Sequence, residues 1–115
     1  MKYGCIGEHL THSFSKEIHH ALADYEYELK EVSRDSFHNF MTEKDFCAIN
    51  VTIPYKELVI PYLYEIDRHA EKIGAVNTVV NRSGRLYGYN TDFYGMKALI
   101  QRIHLDLKGK KVAIL

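Results

Sequence analysis

Charge of one sign, cysteines and long apolar runs are all scarce in this 115-residue chain. Fifteen Lys and Arg balance fifteen Asp and Glu. There is no basic excess of the kind a nucleic-acid backbone requires, so no nucleic-acid partner is expected. The longest apolar runs fall far below the ~20 residues that span a bilayer, and the opening MKYGCIGEHL has no apolar core of a secretory signal. No membrane partner is expected either. Only Cys5 and Cys47 occur. Both fall in apolar, strand-like runs and read as two buried free thiols in a reducing, cytoplasmic compartment. The histidines do not compose a metal site: His19 and His20 are adjacent and point apart on a helix, and His9 and His12 have no further ligand at suitable spacing. The length fits one domain with one core.

What is present is an alternation of periods. KYGCIG (2–7) reads as a short buried strand ended by Gly7, and SKEIHHALADY (15–25) as a helix through Ile18, Ala21, Leu22 and Tyr25. EYELKEV (26–32) alternates as a strand. RDSFHNFMTE (34–43) places Phe37, Phe40 and Met41 on one helical face behind Ser33, a candidate N-cap. FCAINVT (46–52) is a third strand, followed by a short helix from Pro54 that Pro61 interrupts. EIDRHAEKIG (65–74) reads as a helix closed by Gly74. AVNTVVNRSGRLYGYN reads as two strands around a Ser83-Gly84 turn, TDFYGMKALIQRI (91–103) as an amphipathic helix through Phe93, Met96, Ile100 and Ile103, and KGKKVAIL (108–115) as a further strand. This order predicts a three-layer α/β/α fold with helices on both faces of a mixed, mostly parallel sheet.

Several polar residues sit in odd places. Ala48, Asn50 and Thr52 share one face of the third strand, opposite Cys47, Ile49 and Val51. Asn50 and Thr52 therefore approach the carboxyl end of a strand together, where open α/β sheets bind ligands. They could equally serve the turn into Pro54. Lys56 falls in the first turn of a helix, where the dipole disfavours a cation. Ser15 is the expected N-cap of the first helix, with Ser13 in the loop before it, and this end is a ready anion site or simply a cap. Asn77 lies inside an apolar strand and needs hydrogen-bond partners. Asp92 opens the last helix, where a carboxylate is favoured in any case. Together these residues offer an anion site, hydroxyl partners, a lysine and a carboxylate, suited to a small polyhydroxylated carboxylic acid.

Three segments in order, NVTIPYK (50–56), GAVNTVV (74–80) and GYNTDFYG (88–95), with HSFSK (12–16) as a weaker fourth, resemble the N-terminal, substrate-binding domain of the shikimate/quinate dehydrogenase family. The resemblance runs from Tyr3 to about Ile103. It departs from the family pattern at Lys16 and His9, where proline is usual. It implies NADP-dependent, reversible reduction of 3-dehydroshikimate to shikimate, in aromatic amino-acid biosynthesis. It implies that Ser13 and Ser15 hold the substrate carboxylate, that Asn50, Thr52, Asn77 and Asp92 surround the ring hydroxyls, and that Lys56 and Asp92 form the catalytic pair.

On this resemblance, residues 1–103 are the shikimate-binding catalytic domain and 104–115 a linker and the first strand of a dinucleotide-binding domain cut short. No G-x-G-x-x-G occurs in the chain, so these residues alone are expected to hold no NADP and to turn over no substrate. An unpaired KVAIL strand is expected to favour self-association. Two readings stay open beside shikimate dehydrogenase: a quinate/shikimate dehydrogenase, against which the serine pair leans, and a non-catalytic module that binds small carboxylates or a partner protein.

Overall fold

A computed structural model describes residues 1–115. Its six strands are β1 (Tyr3–Gly7), β2 (Glu28–Glu31), β3 (Ala48–Val51), β4 (Glu65–Ile66), β5 (Thr78–Arg82) and β6 (Arg85–Tyr89). Its helices are α1 (Ser15–Leu22), α2 (Arg34–Glu43), α3 (Tyr55–Leu58), α4 (Arg68–Ile73) and α5 (Asp92–Arg102), with a 3-10 turn at Ile60–Tyr62. The strands form one sheet in the order β2-β1-β3-β5-β6-β4. β1 pairs parallel with β2 and β3, and β4 parallel with β6, while β5 runs antiparallel to both β3 and β6. The mixed, mostly parallel α/β sheet expected from the sequence is the one observed.

The β5–β6 hairpin turns on Ser83 and Gly84, both at positive φ (53° and 84°), and the Gly84 N–H donates to Asn81 Oδ1. Two residues at positive φ are what a tight hairpin with right-handed strand twist demands. Ser33 caps α2 by accepting from the Ser36 N–H at 3.3 Å, and Gly74 closes α4 at φ 75°.

The main core lies on one face of the sheet. There Ile6, Ile49, Val51, Val79 and Leu86 pack against Phe37 and Met41 of α2, Tyr55 of α3, Ala70 of α4, and Val59. Ile49 and Val51 point into it as the strand period requires, leaving Asn50 and Thr52 for the opposite face. That second face is thinly covered: Cys5, Leu10 and Tyr27 form a small cluster, and neither α1 nor α5 buries a single residue.

Four sequence expectations are corrected. Residues 65–74 are not one helix, because Glu65 and Ile66 pair with Tyr87 and Gly88 and Asp67 then caps α4 through the His69 N–H. Residues 108–115 form no strand and are exposed throughout. Cys47 is exposed ahead of β3, and only Cys5 is buried. Ser15 is the first residue of α1 rather than its cap: Phe14 holds the cap position without a side-chain bond.

Candidate functional site

The parallel strands β1 and β3 end beside the starts of α1 and α3, and the chain leaves β6 for α5 at the same edge. A cleft of about 280 Å³ opens there, with Ser15, Asn50, Thr52, Lys56, Asn77 and Asp92 on its walls. Six of the seven residues singled out from the sequence thus line one cavity. The seventh, Ser13, reaches it through Ser15: Ser13 Oγ lies 3.1 Å from Ser15 Oγ and accepts from the Ser15 N–H at 3.3 Å.

Lys56 sits early in α3, and its Nζ donates to Asp92 Oδ2 at 2.7 Å. Asp92 occupies the first turn of α5, where the helix dipole favours its charge. The ion pair joins two elements 36 residues apart, and the lysine's misplacement against its own helix is answered by that carboxylate. Both side chains keep solvent contact, 34% and 60% of their surface, so the pair adds only ~0–1 kcal/mol to stability. Its position calls for another purpose.

Two buried asparagines, Asn77 on the wall of the cleft and Asn90 outside its lining, anchor this end of the sheet. Asn77 Oδ1 accepts from the Thr91 N–H at 2.8 Å and from Thr78 Oγ1 at 3.1 Å, while its Nδ2 donates to Thr91 Oγ1 at 2.8 Å. Asn90 donates to the Ala75 carbonyl at 3.0 Å and accepts from the Phe93 N–H at 3.2 Å. These amides moor the start of α5 and thereby place Asp92. Asn50 Oδ1 accepts from Tyr27 Oη at 2.6 Å, and its Nδ2 donates to Thr78 Oγ1 at 3.1 Å. Thr52 packs its methyl against Gly7, where a Cβ would lie 2.7 Å from Thr52 Cγ2. Any larger residue at position 7 would force the Thr52 and Leu10 side chains to shift.

Cys5, Ile18, His19 and Val51 complete the lining. Burial holds the Cys5 thiol above its ordinary range, with the nearby Lys56 charge offsetting part of the rise. It stays a protonated, weakly polar wall rather than a nucleophile. No three His, Cys, Asp or Glu side chains converge at metal-binding distance.

Sequence reasoning passed over Tyr27, Thr78, Asn90 and Thr91. Asn90 and Thr91 stand in the same YNTD segment as Asp92, and the segment's density of hydrogen-bonding side chains at a helix start was their signal. Tyr27 and Thr78 gave none, because each ordinarily belongs in a strand.

The sequence profile of the shikimate dehydrogenase substrate binding domain matches residues 5–79. The "Shikimate dehydrogenase (NADP(+))" of Clostridium perfringens (strain SM101) is 42% identical over 122 residues, covering 98% of this chain and 45% of that protein. Among solved structures, shikimate dehydrogenase 1 from Peptoclostridium difficile superposes with a TM-score of 0.85 at 34% identity, covering 93% of this chain and 43% of that one. The shikimate 5-dehydrogenase of Thermus thermophilus in complex with shikimate superposes with a TM-score of 0.83 at 30% identity, covering 95% and 45% respectively. The chain spans less than half the length of these relatives.

Proposed function

The chain belongs to the family of shikimate dehydrogenase substrate-binding domains, and on that premise we propose that its cleft is the substrate side of an NADP-dependent shikimate dehydrogenase. The observation that carries this reading is the Lys56–Asp92 pair at 2.7 Å, set in a cleft walled by hydroxyl and amide groups. Ser13 and Ser15, whose hydroxyls stand 3.1 Å apart at the start of α1, take the substrate carboxylate, and the helix end favours its charge. Asn50, Thr52 and Asn77 meet the ring hydroxyls. Thr52 Oγ1, with no side-chain partner of its own in the chain, is free to do so.

The chemistry these residues perform is the proton's. As a ring ketone is reduced, negative charge gathers on its oxygen. The Lys56 ammonium stabilises that charge and donates the proton, while Asp92 aims the lysine and the substrate hydroxyl. In the oxidative direction the neutral amine takes the hydroxyl proton back. NADP, for which the relatives are named, supplies hydride, but these residues do not fit it. The β1–α1 connection, where a dinucleotide turn would lie, has Gly7 followed by Glu8 and no further glycine. No residue here is assigned to the cofactor.

The cytoplasm as compartment belongs to the same proposal and is supported by two unpaired cysteines. So does self-association, for which the exposed Val112 and Ile114 supply an apolar tail; a monomeric mass by light scattering would count against it.

The test is an NMR titration of the chain with shikimate, quinate and benzoate. Saturable shifts at Ser13, Ser15, Asn77 and Asp92, stronger with shikimate than quinate and absent with benzoate, are expected. Equal response to all three would point to a general carboxylate-binding module. Preference for quinate would move the assignment to quinate dehydrogenase.

A further inference from the structure

Outside the groups assigned above, one buried hydroxyl touches the cleft's wall. Tyr27 precedes β2 and is 5% exposed. His19 stacks on its ring at 3.8 Å between centroids, and Tyr25 meets it edge-on. Its Oη lies 2.6 Å from Asn50 Oδ1.

The hydrogen bonds beyond Tyr27 have only one consistent direction. The Thr91 backbone N–H can only donate, so the Asn77 atom that it meets at 2.8 Å is the amide oxygen. Thr78 Oγ1, 3.1 Å from that same oxygen, must turn its proton toward it. The Thr78 oxygen is then left to accept, so the Asn50 atom 3.1 Å away is the amide nitrogen. That nitrogen also faces the Asn77 carbonyl at 3.5 Å. Asn50 consequently turns its oxygen to Tyr27, and the phenol must donate. The five residues run from one end of the sheet face to the first turn of α5, next to Asp92.

We infer that Tyr27 is a positioning residue for the cleft: its hydroxyl heads a one-directional chain of hydrogen bonds, through Asn50, Thr78 and Asn77 to Thr91, that fixes which atoms the two asparagines present to a ligand. The inference rests on the proposed function in assigning that ligand as a polyhydroxylated ring acid. Such a ligand distinguishes donor from acceptor at each ring position, so an amide free to flip would blur the match. Without the phenolic donor, Asn50 Oδ1 faces an aromatic wall with no partner, and rotating the amide would set acceptor against acceptor at Thr78 Oγ1 and the Asn77 carbonyl.

The experiment compares side-chain amide NMR signals and shikimate affinity of the chain with those of Tyr27→Phe, Thr78→Val and Tyr25→Phe. Tyr25→Phe removes a hydroxyl from the same aromatic cluster, one that bonds His19 and not the chain of amides. Tyr27→Phe and Thr78→Val are expected to shift the Asn50 and Asn77 side-chain amides in the ligand-free protein and to weaken shikimate binding roughly tenfold. Tyr25→Phe is expected to do neither. If Tyr27→Phe does not fold, Thr78→Val breaks the chain at its middle and decides alone. Unmoved Asn77 amide signals and unchanged affinity, or an equal effect from Tyr25→Phe, would overturn the inference. If the wild-type chain binds no shikimate, the proposed function fails, while the ligand-free amide shifts still decide the role of Tyr27.

Discussion

At the scale of single residues, the site separates groups held for stability from groups held for chemistry. Asp92 is of the second kind. Its carboxylate is well exposed and bonded to a half-exposed lysine, so Asp92→Asn should change unfolding free energy by less than about 1 kcal/mol, read by thermal melts, while shikimate affinity falls. Tyr27 is of both kinds. Burial, with smaller contributions from Cys5 and Tyr25, raises its pKa above the ordinary 10.0. Above pH 10 an unfolded chain releases this proton and the folded chain keeps it, so the unfolded state binds fewer protons and stability falls as pH climbs. Tyr55, whose Oη donates to the Val32 carbonyl, is raised by burial as well. Denaturant titrations across pH 9 to about 11.5 should show a downward slope that Tyr27→Phe makes shallower; an unaltered slope would contradict the burial account. Lys56 and Asn50 were legible in sequence because each is a polar residue where local rules disfavour or underuse it; Asp92, favoured at a helix start in any case, was legible only through the GYNTDFYG segment that holds it. The network behind them was not, since a Thr in a strand and a Tyr before one break no rule.

At the scale of elements, the cap and turn signals held at Ser33 and Ser83-Gly84 but not at Ser15, where Phe14 takes the cap position, and signals that depend on distant pairing did not. Ser33 before an apolar helical period announced a cap, and it caps. Ser33→Ala should cost about 0.5–2 kcal/mol in a urea melt. Ser83-Gly84 announced a tight turn, and it turns. Glu65-Ile66 failed because it reads as the first turn of a helix; its strand character comes from Tyr87 and Gly88, twenty-two residues away by register. The first helix misled differently. Its apolar period through Ile18 and Leu22 is real, yet those side chains stay 55% and 75% exposed. Periodicity marks the face a helix can bury, not whether anything meets it.

At the scale of the whole molecule, the asymmetry of the sheet's two faces governs both stability and function. One face carries the thirteen-residue core; the other carries the cleft. The radius of gyration is 15.5 Å, against about 13 Å for a compact chain of this length, because α5 and the residues after it extend from the body without burying side chains. Ile49→Ala, in the core, should cost about 2–5 kcal/mol, whereas Leu99→Ala, on α5 and 59% exposed, should stay within ~0.5 kcal/mol; urea denaturation of both variants checks the contrast. The overall α/β class followed from alternating periods along the chain. The lopsided burial did not, because it depends on which helices find a sheet to cover.

On the proposed function, these residues supply the proton chemistry of shikimate oxidation and 3-dehydroshikimate reduction. The most direct measurement replaces the matching segment of the Clostridium perfringens relative with residues 1–115 and follows NADP-dependent shikimate oxidation, with and without Lys56→Ala. Turnover by the hybrid, lowered about 10²–10⁴-fold by Lys56→Ala with little change in KM, is the predicted result. A folded hybrid that binds NADP but does not oxidise shikimate, or a Lys56→Ala hybrid as fast as its parent, would contradict it.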